Sequence, residues 1–528
     1  MTEMQEMNNV GLTQPRPVLS VVENQRRWQW VNNQDFYKLI PAPYHSFYNN
    51  WVRLWLYWYD GYVPWVHGTA NGLLSTSIGT TIVNRSADSV FGGNIMFANA
   101  RKPLVMTENE GKPIGKALDF ISNNWSKEVD LKSRIKTAIR NAFAGGFSLL
   151  KLNVHEGKLW VDGLRADRFY IAKTGLGNIR KCVSILGFYD HMTPDNKQGK
   201  RYALMEERRY EEIGMFGKEI PVVEYKMYDN SVPIQFFSGS RDNFIDWKQL
   251  PKSVREAFKE EYSFELNKPQ ALNGFNNLGV YLLKGSDDVS NVPQIGLGES
   301  LLSTILNYLY EFDFYNTCFN TDMYLSRGRV MLPKYMQGPQ AGQAQGNQNI
   351  GLDSFMYTKF ESPNTDATKP EAIQFELRSA EWKEARNILL ESMATNIGIS
   401  VSTLASYLND GSNRTAREVS AEESATTLFI ENNRRRFEQP INEMLKDVLR
   451  FYGYIDDVEI RWSRAGMTNQ TVLVDTLTKA VNAGLISQKK AHDQYNYDDD
   501  EEQNAEDYAL VEKEQASRQN SLFGGGEF

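Results

Sequence analysis

The sequence predicts an α+β protein, mixed in its first half and dominated by long helices in its second, and three observations carry that expectation. Apolar runs with strand-like alternation, bounded by turn residues, cluster between Phe147 and Tyr228. From Glu299 to Arg327 there is neither Gly nor Pro, and Leu301, Ile305, Tyr308, Phe312, Tyr315 and Phe319 recur every three or four residues, as one buried helical face does. Thr415-Ala416-Arg417-Glu418 fits a capping box, in which the hydroxyl and carboxylate satisfy orphan amides at a helix start. The chain of 528 residues, 41% hydrophobic, is too long for one ordinary domain, so about two to four compact regions are expected.

Taken in order, residues 1–20 lack apolar periodicity and are expected to be a loose arm. Six tryptophans follow close together, Trp28, Trp30, Trp51, Trp55, Trp58 and Trp65, and are expected to pack beneath strands. A helical pattern over Ile114, Ala117, Leu118 and Ile121, then Leu131, Ile135, Ala138, Ile139 and Ala142, stops at Gly145-Gly146. Phe147 to Val154, a Glu156-Gly157 turn and Lys158 to Val161 predict a hairpin, and further strands are expected at Lys181 to Phe188, Tyr202 to Tyr210 and Val222 to Tyr228.

From Gly285 to Ser326 there is no Lys or Arg, while Asp287, Asp288, Glu299, Glu311, Asp313 and Asp322 are acidic. The pattern inside this window predicts a helix of ~28 residues, ~40 Å long. Arg329 to Leu332, Phe355 to Phe360 and Ala372 to Leu377 are expected to be strands around a Gly-, Gln- and Pro-rich loop, 333–350. A second helix is expected at Ser379 to Asn396, with Trp382, Ala385, Leu389 and Met393 on one side. The turn-forming run Asn409 to Asn413 precedes the capping box, and the helix it opens should reach about Tyr452 with a kink at Pro440. A strand at Val458 to Ser463, helices at Val472 to Ala483 and Ser487 to Tyr495, the acidic run Asp498 to Glu502 and a polar tail complete the chain.

Composition narrows function. A net charge of −8 disfavours a protein that grips nucleic acid over its whole surface, because duplex affinity comes largely from Lys and Arg neutralising phosphates. It is compatible with a conduit past which DNA slides. Mean hydropathy is −0.50, and the strongest membrane candidate in the tryptophan-rich stretch, Trp51 to Trp58, contains Arg53 and is closed by Asp60, Gly61 and Pro64, so no membrane span is expected. No secretion leader is read at the N-terminus, and Cys182 and Cys318 are too few for a disulfide framework.

Motifs for chemistry are missing. No Gly-Lys pair is followed by Ser or Thr, which excludes a phosphate-cradling ATPase loop; Gly296-Leu297-Gly298 lacks the third glycine of a dinucleotide site. His45, His67, His155, His191 and His492 match no zinc spacing, and Asp498 to Glu502 lacks the glycine of a calcium loop, so no metal, no cofactor and no catalytic residue are expected. Arg434-Arg435-Arg436 fits either a phosphate contact or a helix face braced by Glu431 and Glu438 at i,i+4. The closing helix pair resembles a DNA-reading motif in outline, but Asp493 and the acids after it favour a cap or interaction role.

Several segments, in their order, resemble the portal protein family of tailed bacteriophages. They are Ala144-Gly145-Gly146 with the strand after it, Glu206 with the Val222 to Tyr228 strand, and Gly296 to Ser303. Gly398-Ile399-Ser400, Asn413-Arg414-Thr415-Ala416-Arg417-Glu418-Val419 and Ala483-Gly484-Leu485-Ile486-Ser487 complete them. The resemblance implies a non-enzymatic virion protein, assembled in the host cytoplasm as a ring of about twelve copies at the capsid vertex. Double-stranded DNA would pass through it, without sequence recognition, in packaging, retention and ejection. A separate terminase motor, a head–tail adaptor and the major capsid or scaffolding protein would be its partners.

On this sequence the resemblance implies a wing over 21–285, stem helices over 286–326 and 378–398, and a clip over 327–377. A channel loop over 399–414, a long kinked helix over 415–452, a return strand over 453–466, a crown over 467–505 and a flexible tail over 506–528 would follow. Asn409, Asp410, Ser412, Asn413 and Arg414, with Glu311 and Asp322, would line the channel; alternatively Asn413 and Arg414 cap and brace the helix. Arg329, Lys334, Gln337 and Gln340 would dock motor and adaptor. About twelve copies would carry on the order of a hundred negative charges, which repel phosphate. Another viral head or connector protein is the competing expectation, and a glycan hydrolase, which needs a carboxylate pair in a cleft, a more distant one.

Overall fold

The computed structural model describes residues 47–61, 76–92, 95–99, 115–155, 157–173, 179–191, 200–213, 218–229, 247–261, 266–272, 275, 277–286, 296–326, 329–333, 357–360, 371–373, 378–404, 416–454, 457–462, 477–483, 487–495 and 508–513. Helices α1 (Arg53–Asp60) and α2 (Ile78–Phe91) are followed by strand β1 (Ile95–Asn99). After a helical run over 115–128 comes α3 (Leu131–Gly145), whose expected apolar positions Leu131, Ile135, Ala138, Ile139 and Ala142 are all fully buried. The helix ends where the glycines are: Gly146 takes φ +89°, a left-handed value that costs a Cβ-bearing residue ~1–2 kcal/mol.

Strands β2 (Phe147–His155) and β3 (Lys158–Arg165) form the expected hairpin, longer than its apolar runs. Next come β4 (Phe169–Lys173), β5 (Ile179–His191), β6 (Lys200–Ile213), β7 (Lys218–Asp229), helix α4 (Lys252–Glu261), β8 (Gln270–Ala271) and β9 (Val280–Lys284). One sheet has the order β3-β2-β9 and carries α3; the other is antiparallel in the order β4-β5-β6-β7-β8. Helix α4 is absent from the sequence expectation. Val254 and Phe258, four residues apart, join Leu250 in a small core with Tyr202, Leu204 and Met227. Of the N-terminal tryptophans, Trp55 and Trp58 are buried, Trp51 is exposed, and Trp28, Trp30 and Trp65 lie outside the described residues.

The cation-free window departs from expectation. Its helix α5 spans Leu306–Leu325, 20 residues rather than ~28 and so about 30 Å long, preceded by a single 3-10 turn at Ser303–Ile305. The missing turns are spent on docking. Ser300 Oγ donates to the carbonyls of both Phe143 and Ala144 at 2.8 Å, and Leu301 N donates to Phe143 O at 3.0 Å. These carbonyls belong to the last turn of α3, where no intrahelical donor remains.

Strands β10 (Arg329–Pro333), β11 (Tyr357–Phe360) and β12 (Glu371–Ile373) make a small sheet, β11 parallel and β12 antiparallel to β10. Helix α6 (Ser379–Ile397) runs back along α5, and α7 (Ala416–Phe451) continues through Pro440 without ending there. Helix α7 packs against β9, β13 (Val458–Trp462) and α2; β13 pairs antiparallel with β1, so the late strand does return to the first half of the chain. Helix α8 (Gln488–Tyr495) follows. Residues 508–513 are helical where a structureless tail is expected from the sequence, and Tyr508 meets His492 edge to face at 5.5 Å.

Gly285 sits in the tightest spot of this architecture: a Cβ there would lie 2.4 Å from Ala142 O and 2.8 Å from Glu299 O, both backbone atoms. Gly285→Ala is therefore expected to cost about 3 kcal/mol, the upper end for overpacking, measured by urea unfolding. Gly187→Ala, whose Cβ meets nothing within 4 Å, should stay within about 0.5 kcal/mol of the parent.

Candidate functional site: the paired helices α5 and α6 and the joint that follows them

Helices α5 and α6 are joined by an aromatic clasp. Trp382 of α6 packs edge-on against Tyr315 at 5.3 Å and Phe319 at 6.0 Å of α5. Tyr315 Oη donates to Trp382 O at 2.5 Å, and Trp382 Nε1 donates to Asp322 Oδ2 at 2.8 Å. Arg378 lies 3.8 Å from the same carboxylate. Asp322 is thus a holding contact between the two helices, and the cation that its own helix lacks comes from the next one. Asp313 is also turned inward: Oδ1 accepts from Thr76 N at 3.0 Å and Thr76 Oγ1 at 2.6 Å, and burial pushes its carboxyl above the usual range.

Outward-facing groups divide by helix. On α5, Glu311 is exposed, beside Tyr310 and Phe314, which are 46% and 52% exposed despite their size. On α6, Glu381, Glu384, Ile388 and Glu391 are all exposed and, at i, i+3, i+7 and i+10, share one face. The acidic row thus lies on the second helix. Its helical spacing is present in the sequence, outside the cation-free window.

Gly398 closes α6 in the left-handed conformation, and its amide donates to Ala394 O and Thr395 O. Ser400 N then donates to Thr426 Oγ1 at 2.8 Å, and Leu404 O accepts from Arg85 Nη1 at 2.9 Å. Asn409, Asp410, Ser412, Asn413 and Arg414 lie outside the described residues, as do Lys334, Gln337 and Gln340. The backbone of Arg329 opens β10.

Two members of the arginine triplet, Arg434 and Arg436, make structural contacts with distant segments. Arg434 is buried, donates from Nε to Val90 O at 2.8 Å near the end of α2, and lies 5.6 Å over the Trp462 ring. Arg436 Nη1 donates to Gly285 O at 3.0 Å; only Arg435 is exposed.

A buried charge cluster joins the two large sheets. Lys151 Nζ of β2 lies 3.2 Å from Glu206 Oε2 of β6, and Arg208 Nε lies 2.6 Å from Glu206 Oε1. Arg208 Nη1 also donates to Leu152 O at 2.8 Å and Leu278 O at 2.9 Å, and Nη2 to Asn153 Oδ1 at 2.7 Å. Asn277, whose Oδ1 accepts from Gly279 N at 2.8 Å, donates to Asp447 of α7, and Tyr281 Oη donates to the same oxygen. Burial alone pushes the Glu206 carboxyl up, but Arg208 and Lys151 outweigh it and hold it below the usual carboxylate range. Cys182 beside this cluster is buried, its thiol pushed up to about 12 by burial, so it is inert core. Among the described residues no group of three or more His, Cys, Asp or Glu could hold a metal ion, and no helix is long and apolar enough to cross a membrane.

The sequence matches the model of one protein family, described as phage portal protein, SPP1 Gp6-like, over residues 67–519. A chain in the structure described as the neck of an empty GTA particle, computed with C6 symmetry, is similar at 11% identity and a TM-score of 0.41, over 81% of this chain and 91% of that one. No curated protein matches.

The Glu206 cluster sets a pH dependence. A carboxyl held below its unfolded value of about 4.3 contributes stability that is present above that pH and lost as pH falls through the folded value. Urea midpoints should therefore fall as the pH drops below about 4. Glu206→Gln leaves Lys151 and Arg208 buried without their counter-charge, so it should cost about 3–5 kcal/mol at neutral pH and flatten the acid limb of the profile.

Proposed function

The chain belongs to the SPP1 Gp6-like family of phage portal proteins, and on that basis we propose that copies of it close into a ring of about twelve whose bore conducts double-stranded DNA. The protein is a structural component of a phage particle. The single observation that carries the reading is the family match, which runs through both halves of the chain from residue 67 to residue 519. Helices α5 and α6 are the stem, the sheet β10–β12 between them the clip, and the sheets around α3 the wing. The crown begins near residue 467. The ring sits at the capsid vertex; a separate terminase motor supplies force at the clip, a head–tail adaptor later takes its place, and capsid or scaffolding protein holds the wing. Arg329, Lys334, Gln337 and Gln340 are the docking residues.

The exposed side chains support this assignment. Tyr310 and Phe314 stand out of α5 as a neighbouring copy would require, since burying such side chains yields about 1.5–3 kcal/mol each. Glu311 with Glu381, Glu384 and Glu391 of α6 gives the wall facing the duplex a charge that repels phosphate and limits sticking during translocation. Asn409, Asp410, Ser412, Asn413 and Arg414 form the constriction, touching the DNA backbone without reading bases.

Electron microscopy of the purified protein should show annular particles with a central hole, and a population of compact monomers only would overturn the reading. The pair Tyr310→Lys, Phe314→Lys should sharply reduce rings while the circular dichroism of the subunit stays unchanged. Rings carrying Asp410→Lys with Asn413→Lys should form normally but package or retain less nuclease-protected DNA; undiminished DNA per particle would remove both residues from the channel.

A further inference from the structure

The chain leaves α6 at Gly398 and runs through the short helix Val401–Leu404 before residues 405–415, which include the constriction residues proposed above. That stretch is fastened at both ends. Ser400 N, in a residue only 6% exposed, donates to Thr426 Oγ1 of α7 at 2.8 Å. Leu404, 1% exposed, has its carbonyl held by Arg85 Nη1 at 2.9 Å. A cation there suits the carbonyl end of a helical turn, where no backbone donor remains.

Arg85 can act as an anchor because the helix that carries it is itself fixed. Just before α2, Thr76 donates through its amide and hydroxyl to the buried Asp313 of α5. Near its end, Val90 O accepts from the buried Arg434 of α7. The side chains of Ile82, Val83, Ser86, Ala87 and Val90 are wholly buried between these points. Helix α2 therefore holds one position relative to both the stem and the long helix, and Arg85 transmits that position to Leu404.

We propose that Arg85 and Thr426 form a bracket that fixes the position of Leu404, the residue after which the chain continues into 405–415, which makes Arg85 a positioning residue for the DNA channel although it touches no DNA. The proposal rests on the reading of that segment as channel-facing. The alternative is that Arg85 only packs α2.

The test uses full-length assembled rings carrying Arg85→Met, Arg85→Lys or Thr426→Val, with two readouts. Amide hydrogen exchange in peptides covering 398–404 should accelerate roughly tenfold or more in Arg85→Met, as loss of one charge-assisted hydrogen bond predicts, while peptides from 78–91 keep parental rates. Arg85→Lys, which keeps a donor, should restore most of the protection. Nuclease-protected DNA retained per particle should fall with Arg85→Met and recover with Arg85→Lys. Unchanged exchange at 398–404, or acceleration spread equally through α2, overturns the bracket whatever the channel does. Faster exchange with parental DNA retention overturns the positioning role. In that case the Asp410→Lys, Asn413→Lys rings separate the two failures: a DNA defect there leaves the channel reading standing and removes only the positioning role of Arg85, and none removes the channel reading itself. Should Arg85→Met fail to assemble, Thr426→Val, which deletes only the acceptor oxygen at the other end, takes its place in both measurements, and the same results support or overturn the bracket.

Discussion

The end of α3 is the point on which the rest of the molecule is hung. Its carbonyls at Phe143 and Ala144 are taken by Ser300, and that of the capping residue Gly146 by the amide of Gly285 at 2.7 Å. Gly285 O in turn accepts from Arg436 of the long helix. Three lengths of chain that are remote in sequence therefore meet at this point, and at Gly285 the backbones approach so closely that there is no room for a Cβ. A helix terminus needs donors that its own ladder cannot supply. Here those donors come from Ser300 and Leu301, in the chain that leads into α5, so satisfying α3 also fixes where α5 begins.

The Lys151–Glu206–Arg208 cluster works on the same logic with charges. Desolvating three ionised groups costs several kcal/mol each, and the mutual attraction repays this only where geometry is good and the remaining protons find acceptors. Arg208 finds them in Leu152 O, Leu278 O and Asn153, so one arrangement of the two sheets satisfies it and a slipped one does not. The outer face of the same sheet behaves differently. Lys181, Arg209 and Lys226 alternate with Glu207, Glu211 and Glu224 there, with contacts from 2.5 to 3.4 Å, a balanced ladder with little left to attract a charged partner.

What can be read from the sequence is what local periodicity governs. The hairpin after Gly145-Gly146, the three long strands of the second sheet, and helices α6 and α7 all stand where their apolar spacing puts them, within a few residues. The errors arise where a distant partner decides. Nothing in residues 299–327 announces that Ser300 will be used by Phe143, 157 residues earlier, so periodicity alone makes the stem helix too long. Arg434 has acids at helical spacing and looks solvated, yet its partner is Val90, 344 residues away. Asp322 looks like an uncompensated acid because Trp382 and Arg378 are 60 and 56 residues further on. Two of the segments that carry the family resemblance, Ala144 to Gly146 and Gly296 to Ser303, turn out to be the two halves of one junction.

These partners also explain why the outward faces of the stem are distinct. A conduit needs acids that face DNA, and it needs apolar groups that face a neighbour; one helix can present both only if its remaining charges are used internally. On α5, Asp313 is consumed by Thr76 and Asp322 by Trp382, which leaves Glu311 and an otherwise uncharged strip bearing Tyr310 and Phe314. On α6, Trp382 and the buried Met393 and Ile397 turn inward, so Glu381, Glu384 and Glu391 are left outward. Arg378 lies 3.9 Å from Glu381, but both are well exposed, and such a pair is worth at most about 1 kcal/mol. In the proposed ring, the packing of the stem pair thereby sorts the surface: cohesion falls to α5, and electrostatic repulsion of the passing duplex falls chiefly to α6.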